Sequence, residues 1–371
     1  MPFPLADTVG ALRRHYDEAV LPLWSGPGFQ TQLGLPHEAL SQEGEPLPDT
    51  RFRAMACARQ LYVHAIAPGA AAAAHAERLF EALQHYFHDP ARAAWRFSVD
   101  AQGRPLDDTR DLYTYAFVIL ACALYFERSR SPQARRAMLA AAEAVEAGFR
   151  RDDGAYDAVR SPDGTQRVRG PEQNPMMHLT EAYQAAARVA EPAWFAHALR
   201  GIAEAVGDQF LDAGTQCIAE LPLGAADNRI EPGHQFEWYA LLRAAPQVYE
   251  GLALPLAVPR GCVWARKAGV APHTAGVCAA VQADGGVHDP AERLWAQTEY
   301  ARHLAVAGEF DALAQQLGQF QRRFLHPGGW HEVLRPDSTL ARADMPSTTP
   351  YHLATCYEAL EAAVPPAGGL A

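Results

Sequence analysis

Residues 231–245 read EPGHQFEWYALLRAA, a segment in which apolar and aromatic side chains fall on nearly every face of a helix. Proline is favoured in the first helical turn, because its fixed φ suits the helix and its missing N–H is not needed there. A helix that is apolar almost all round must be covered on both sides. The segment therefore predicts a buried inner helix that begins near Pro232.

The same kind of helix recurs along the chain. The other five predicted inner helices begin near Arg51, Asp111, Pro175, Pro290 and Pro350. The six starts are about 60 residues apart, and a fixed period of this length indicates a repeated structural unit.

A second and more charged helical segment follows several of these helices, as in residues 132–150 and 309–324. The unit is thus a helix pair, and six pairs predict an all-α (α/α)6 barrel, with apolar helices inside and amphipathic helices outside. The 371 residues alone suggest two or three domains of roughly 150 residues. A closed ring of six pairs instead predicts one domain over 1–371.

Gly- and Asp-rich connectors precede the inner helices, so all of them should lie on one rim of the barrel. We expect short β-hairpins there and, since long loops on a rigid scaffold often carry function, the active site. The Gly/Pro-rich segment 21–49 is the longest irregular stretch, and we interpret it as a cover or lid.

Composition excludes several classes of protein. The net charge of −11 is unfavourable for nucleic acid or anionic lipid. The longest apolar run, 115–126, is shorter than the roughly 20 residues that span a bilayer. The six cysteines are scattered and the N-terminus lacks a secretory pattern. We expect a cytoplasmic protein with a small neutral ligand and no nucleic acid or membrane partner. The apolar outer helices leave a homodimer open.

Three histidines are placed alike. His178, His234 and His352 each lie two or three residues after the proline of an inner helix, so they should converge near the barrel axis. The positive end of the helix dipole favours neutral imidazole, which suits a general base near neutral pH. Any one of them alone is more often a capping or core residue. No H-E-x-x-H or H-x-H spacing occurs, so a metal site is not expected.

Further polar residues accompany these histidines. Glu181 and Glu237 follow His178 and His234 at i, i+3, where each is either an orienting carboxylate or an ordinary ion-pair partner. Asn174 is either the N-cap of its helix or a donor to a sugar hydroxyl.

Aromatic and cationic candidates complete the set. Arg59 lies mid-helix among apolar residues, and a buried guanidinium needs acceptors from the fold or from a ligand. Aromatic faces suit the apolar side of a pyranose, although each ring is individually more typical of a core: Tyr113, Trp238, Trp295 and Trp330. Phosphate-binding glycine loops and the G-x-S-x-G motif of serine hydrolases are missing.

With these residues identified, the chain resembles the N-acylglucosamine 2-epimerase superfamily. The matching motifs run from residue 58 to residue 352: ARQLY, LYTYAF, NPMMHLTEA, EPGHQFEW, RLWAQTE and STTPYH. The resemblance implies an (α/α)6 barrel that acts without a metal or a nicotinamide cofactor. It also implies that His234 and His352 exchange the substrate proton, that His178 assists ring opening or stabilises the intermediate, and that the sugar is contacted by Arg59, Tyr113, Asn174, Glu237 and Trp295.

The reaction expected from this resemblance is the interconversion of D-mannose and D-fructose through a cis-enediol, because RLWAQTE is similar to the mannose isomerase form of the motif and departs from it at Ala296. Sugar 2-epimerisation on the same scaffold is the alternative, and a non-catalytic sugar-binding protein is a remoter one. Glycoside hydrolysis needs two flanking carboxylates, and no pair can be placed among Asp100, Asp111, Glu181 and Glu237.

Overall fold

A computed structural model describes residues 5–364 of the chain, which form a ring of helix pairs. The helices are α1 (Leu5–His15), α2 (Leu21–Ser25), α3 (Ala54–Ile66), α4 (Ala70–Ala82), α5 (Leu112–Ser129), α6 (Pro132–Gly148), α7 (Gln173–Val189), α8 (Pro192–Gln209), α9 (Pro232–Ala244), α10 (Leu254–Gly269), α11 (Leu294–Ala307), α12 (Phe310–Phe324) and α13 (Thr349–Ala363).

The odd-numbered helices from α3 to α13 form the inner ring. Each packs against the next, and α13 packs against α3, which closes the ring. These helices are buried on almost every face; nearly all of α3 and α9 is inaccessible to solvent. The predicted (α/α)6 barrel is therefore confirmed. The observed inner-helix starts differ by no more than a turn from the predicted ones.

The even-numbered helices from α4 to α12 form most of the outer ring and bury one face each. The sixth outer position is occupied by the N-terminal segment, in which α1 and α2 are joined by a π-helical turn, Tyr16–Val20. This segment packs on α12 and α13, and the Tyr16 ring meets that of Tyr357 edge-on at 5.9 Å. The first helix of the chain thus completes the pair of the last one.

Short antiparallel strands lie in the connectors before the inner helices, as expected. Three of the sheets have three strands each: Arg51–Arg53 with Ser98–Asp100 and Pro105–Asp107, Arg110–Asp111 with Val159–Arg160 and Arg167–Arg169, and Glu292–Arg293 with Val333–Leu334 and Leu340–Arg342. The others are pairs: Phe29–Gln30 with Leu35–Pro36, Ala39–Leu40 with Met345–Pro346, His88–Asp89 with Ala94–Trp95, Ala280–Val281 with Val287–Asp289, and Leu325–His326 with Gly329–Trp330.

The segment 21–49 differs from the prediction. Its first five residues are helix α2, and the remainder is held to the barrel rather than extended over the site. Glu38 accepts hydrogen bonds from Arg53, and Trp24 is buried beside the ring of Trp330. None of residues 21–49 lines the central cavity, so the lid interpretation is wrong for this structure.

Two other expectations concern the chain as a whole. All six cysteines lie within the described residues, and each is buried and free. Over residues 5–364, none of the helices combines the length and the apolar character needed to cross a membrane.

Candidate active site

A cavity of about 480 Å³ opens at the end of the barrel where the inner helices begin. Polar side chains dominate its walls, which suits a hydrophilic ligand. The lining residues come from all six inner helices or the connectors that precede them: Arg59, Tyr113, Arg169, Glu172, Asn174, His178, Glu220, Leu221, Arg229, Glu231, His234, Glu237, Arg293, Trp295, Glu332, Thr348, Thr349 and His352.

His234 is the third residue of α9 and is held by a buried carboxylate. Its Nδ1 lies 2.8 Å from Oε1 of Glu220, and Gln173 donates from Nε2 to the same carboxylate at 3.0 Å. Burial opposes a charge on the imidazole, but Glu220, Glu231 and Glu237 outweigh it and raise the pKa of His234 to about 9. These carboxylates favour a protonated His234 at neutral pH, in place of the neutral form expected from the helix dipole alone.

His352, the fourth residue of α13, has a similar partner and the opposite charge state. Its Nδ1 lies 2.9 Å from Oε1 of Glu299. Burial and the nearby guanidinium of Arg59 lower the pKa of His352 well below its usual value. In both histidines Nδ1 is directed to a carboxylate, which leaves Nε2 for the substrate. The cavity thus contains one proton donor and one proton acceptor.

His178 lies in the second turn of α7, because this helix begins two residues before Pro175. Its Nδ1 is 3.6 Å from Oε2 of Glu181 and 3.8 Å from Oε1 of Glu237, and it forms no hydrogen bond with the residues that the structure describes. Burial lowers the pKa of His178 to about 4. Its ring meets Tyr113 edge-on at 4.9 Å. The imidazole is neutral and free to bond a ligand.

Arg59 lies between aromatic rings. Its guanidinium carbon is 4.1 Å from the ring centre of Phe117 and 4.8 Å from that of Tyr351, a cation–π arrangement. Two of its nitrogens donate to the hydroxyl of Tyr113 at 2.6 Å and to the carbonyl of Thr348 at 3.2 Å. Nε has no acceptor within residues 5–364. The fold thus supplies acceptors for part of the guanidinium only.

Trp295 contacts both catalytic candidates. Its ring is stacked on His234, with centroids 4.7 Å apart, and lies 5.8 Å from the ring of His352. Gly233 allows this contact, since a Cβ at that position would lie 2.6 Å from the indole.

Asn174 and Glu237 also face the cavity. Asn174 is the second residue of α7, and its Oδ1 is buried without a partner in the described part of the chain, so the N-cap alternative is wrong. Glu237 is fully buried, and neither of its carboxylate oxygens has a hydrogen-bond partner among residues 5–364. Burial and the charges of Glu299 and Glu181 raise the pKa of Glu237 well above its usual value.

Two predicted sugar contacts are corrected by the structure. Trp238 and Trp330 are fully buried and line no part of the cavity. Their indole N–H groups donate to side chains of the site instead, Trp238 to Gln173 at 2.7 Å and Trp330 to Glu332 at 2.9 Å. They support residues of the site from behind, because each ring packs in the core and only its N–H points inward.

Several residues that adjust the histidines have no signature in the sequence. Gln173, Glu220 and Glu299 are buried at or beneath the cavity floor, and Arg302 lies there with 13% of its side chain exposed; none of the four follows a histidine at helical spacing. Glu220 lies in an irregular connector, where periodicity carries no information. The spacing that was noticed, from His234 to Glu237, places the carboxylate near His178 instead.

The carboxylates considered for glycoside hydrolysis are dispersed. Asp111 caps α5 by accepting from the backbone N–H of Thr114, and Asp100 pairs with Arg104 on a hairpin. Of the four, only Glu237 lines the cavity.

Three groups in the described chain are close enough to share a metal ion. They are His178 with Glu181 and Glu237, His234 with Glu220 and Glu231, and His352 with Glu237 and Glu299. In each of the last two groups one carboxylate, Glu220 or Glu299, already bonds the imidazole, so these histidine–glutamate contacts are explained without a metal.

Comparison with known proteins agrees with this geometry. A family model described as N-acylglucosamine 2-epimerase (GlcNAc 2-epimerase) matches residues 34–356. A mannose-6-phosphate isomerase of Rhizobium meliloti (strain 1021) is 30% identical over 95% of this chain and 96% of its own. A D-mannose isomerase of Thermobifida fusca is 32% identical over 43% of this chain and 40% of its own.

The barrel is also similar to a solved structure. Cellobiose 2-epimerase from Bacillus thermoamylovorans B4167 superposes with a TM-score of 0.87 over 95% of this chain and 99% of that one, at 18% identity. At this identity the similarity concerns the fold. Together with the family match and the full-length relative, these findings show that the chain belongs to the N-acylglucosamine 2-epimerase family of sugar isomerases and epimerases.

Proposed function

We propose that the protein is an aldose–ketose isomerase that interconverts D-mannose and D-fructose as free monosaccharides. The observation that carries the proposal is the pairing of a neutral His352 with a protonated His234 in one cavity. Isomerisation moves one proton between carbons and another between oxygens, so it needs a base and an acid at the same time. The names of both curated relatives, a mannose-6-phosphate isomerase and a D-mannose isomerase, support this class of reaction.

In the proposed reaction Nε2 of His352 removes the proton from C2 of the open-chain aldose. The C2–H electrons form the C1=C2 double bond while O1 takes a proton from His234, which gives the cis-enediol. His234 then accepts the proton of the O2 hydroxyl, and His352 returns its proton to C1. Both histidines finish in their starting states, as a catalyst must.

Arg59 and Tyr113 would stabilise the charge that develops on O1 and O2. Preorganised donors act most strongly where charge appears in the transition state. Arg59 and Tyr113 both line the cavity, and Nε of Arg59 has no acceptor among residues 5–364. The neutral His178 would assist ring opening by accepting the proton of the anomeric hydroxyl and returning it to the ring oxygen of the pyranose, which leaves the imidazole neutral again.

A neutral sugar suits the rim better than a phosphorylated one. Besides Arg59, three arginines line the cavity. Arg169 and Arg229 are each 2.8 Å from a carboxylate, of Glu172 and Glu231 respectively, and Arg293 is 3.8 Å from Asp289. Their charge is therefore already matched before a substrate arrives.

Epimerisation at C2 is the second candidate, and the same two histidines favour it. If the enediol lives long enough for a proton to reach the opposite face of C2, the product is the epimeric aldose. Because Trp295 contacts both imidazoles, they border the same space from different directions.

One experiment distinguishes these reactions. The protein is incubated in D₂O with mannose, glucose, cellobiose or mannose 6-phosphate, and C1 and C2 are followed by NMR. Deuterium at C1 of fructose supports the proposal, whereas deuterium at C2 of an epimeric aldose supports 2-epimerisation. Turnover of mannose 6-phosphate but not of mannose would contradict the choice of a free sugar. Saturable binding with no exchange in any sugar would indicate a non-catalytic protein.

A further inference from the structure

In the two histidine–glutamate pairs of the cavity the hydrogen bonds have similar lengths, but the pKa of His234 is raised and that of His352 is lowered. Nδ1 of His234 is 2.8 Å from Glu220, and Nδ1 of His352 is 2.9 Å from Glu299. Since the distances are equal within error, the bond to a carboxylate does not explain why one imidazole is protonated and the other neutral.

The pairs differ in what holds the far side of the carboxylate. Glu220 accepts hydrogen bonds from the neutral amide of Gln173 at 3.0 and 3.1 Å. Oε2 of Glu299 lies 3.3 Å from Nη1 of Arg302, whose guanidinium carries a full positive charge. A carboxylate that already neutralises a guanidinium stabilises an imidazolium less than one that is bonded only to an amide.

Arg302 lies beneath the cavity and not in it. It is on α11, one turn after Glu299, and its side chain is 13% exposed. It lines a second cavity, of about 250 Å³, at the opposite side of the barrel floor, together with Glu181, Arg188 and Glu358. It is absent from the lining of the upper cavity, so it does not reach the substrate.

His352 is surrounded by charged and titratable groups on every inner helix that faces it. Burial, Arg59, Arg302 and His234 oppose its protonated form, whereas Glu181 favours it. Carboxylate oxygens of Glu237 and Glu299 lie within 4.8 Å of a ring nitrogen of His352. These groups, with His178, come from four helices: Arg59 of α3, His178 and Glu181 of α7, His234 and Glu237 of α9, and Glu299 and Arg302 of α11. Of the two arginines, only Arg59 lines the substrate cavity.

We propose that Arg302 is a positioning residue that holds the charge of Glu299 and, together with Arg59, keeps His352 neutral, so that His352 acts as the base and His234 as the acid. The inference rests on the proposed function for the meaning of these roles. The charge states of His234 and His352 are a property of the enzyme without substrate, so an experiment can determine them in the absence of sugar.

The test is an NMR titration of the histidines in the full-length protein labelled with ¹³C-histidine, with His352→Asn used to assign the signal. Arg302→Gln should move the His352 midpoint upward by about one pH unit or more, because it removes a positive charge that opposes the imidazolium and leaves Glu299 free to stabilise it, and a nearby charge shifts a pKa by about that amount. Arg302→Lys keeps the positive charge and should return the His352 midpoint to its wild-type value. Arg266→Gln removes an arginine that pairs with Glu309 outside the site, at 2.5 Å, and should leave the midpoint unchanged.

Kinetics give the second readout. In Arg302→Gln the acidic limb of the kcat profile should move upward with the His352 midpoint, with little change in KM, because Arg302 does not touch the sugar. A His352 midpoint that stays in place in folded Arg302→Gln overturns the inference, and so does a failure of lysine to rescue it. If wild-type enzyme turns over no sugar, the proposed function fails, but the titration still decides the role of Arg302.

A second variant is needed if Arg302→Gln does not fold, since that substitution leaves buried carboxylates without a compensating positive charge. Glu299→Gln keeps Arg302 and removes the carboxylate between it and His352. The His352 midpoint should then be no higher than in wild type, and a rise would overturn the inference.

Discussion

The indole of Trp295 is stacked on the imidazole of His234, with ring centroids 4.7 Å apart and planes inclined by 29°. This contact exists because residue 233 is a glycine: a Cβ there would lie 2.6 Å from the indole ring. Gly233→Ala should therefore displace Trp295 and lower kcat/KM by about tenfold to a hundredfold, as misplaced groups do in catalysis. Steady-state kinetics and Trp fluorescence measure both effects. Gly207→Ala is the matched control, because a Cβ in that helix meets nothing within 4 Å.

Replacement of either proton-transfer histidine should nearly abolish turnover. A group of this kind contributes about 10²–10⁴ in rate, so His234→Ala and His352→Ala should each lose at least two orders of magnitude in kcat. His197→Ala changes an exposed histidine of α8 and should retain full activity. Near wild-type turnover in either site variant would remove that residue from the mechanism.

The pH dependence of kcat should be bell-shaped. The alkaline limb should fall near pH 9, where His234 loses the proton that it donates, and the acidic limb should fall below the ordinary histidine range, where His352 gains one. Glu220→Gln removes a negative charge that favours the imidazolium, so it should move the alkaline limb to lower pH. An alkaline limb unaffected by this substitution would mean that another group sets it.

Trp238→Phe distinguishes a supporting indole from a sugar contact. The substitution removes the N–H that donates to Gln173 at 2.7 Å and leaves a buried acceptor unpaired, which costs about 1–3 kcal/mol of unfolding free energy. Because Gln173 also bonds Glu220, kcat should fall while KM for the sugar changes little. A large rise in KM at unchanged stability would restore Trp238 to the sugar site.

Acid should lower the stability of the protein in part through two histidines that pack between α3 and α4. The rings of His64 and His75 are 4.3 Å apart and buried, and burial lowers their pKa values to about 4 and about 3. Unfolded histidine titrates near 6.5, so the unfolded chain binds more protons below that pH and stability falls as the pH decreases from about 6.5 towards 4. The Tm measured between pH 7 and 5 should show this slope, and His75→Leu should reduce it. An unchanged slope in the variant would assign the effect to other groups.

Periodicity and helix-start residues were sufficient to predict the barrel. Pro232 and Pro350 mark first turns that the structure confirms, because proline at these positions acts locally and independently of the rest of the fold. The recurrence of a histidine shortly after a helix-start proline also predicted that His178, His234 and His352 lie near one another, and all three line one cavity. Local patterns did not reveal Glu220 or Arg302, since their effect on a histidine depends on distances between elements far apart in the chain.

Aromatic residues show the same limit. Trp295 and Trp238 both follow the start of an inner helix, and the sequence around them does not distinguish their roles. In the structure Trp295 lines the cavity, whereas Trp238 is fully buried in the core. The position of each tryptophan along its helix sets the direction in which the indole leaves the helix. Contacts with neighbouring helices then determine whether that direction leads to the cavity or to the core.

The closure of the outer ring by α1 has a consequence for biosynthesis. Helix α1 leaves the ribosome before its partner α13, which is made more than 300 residues later. At typical elongation rates of about 5–20 residues per second, the apolar face of α1 stays uncovered for on the order of tens of seconds. The ring of a nascent chain should therefore become protease-resistant only once α13 has been made.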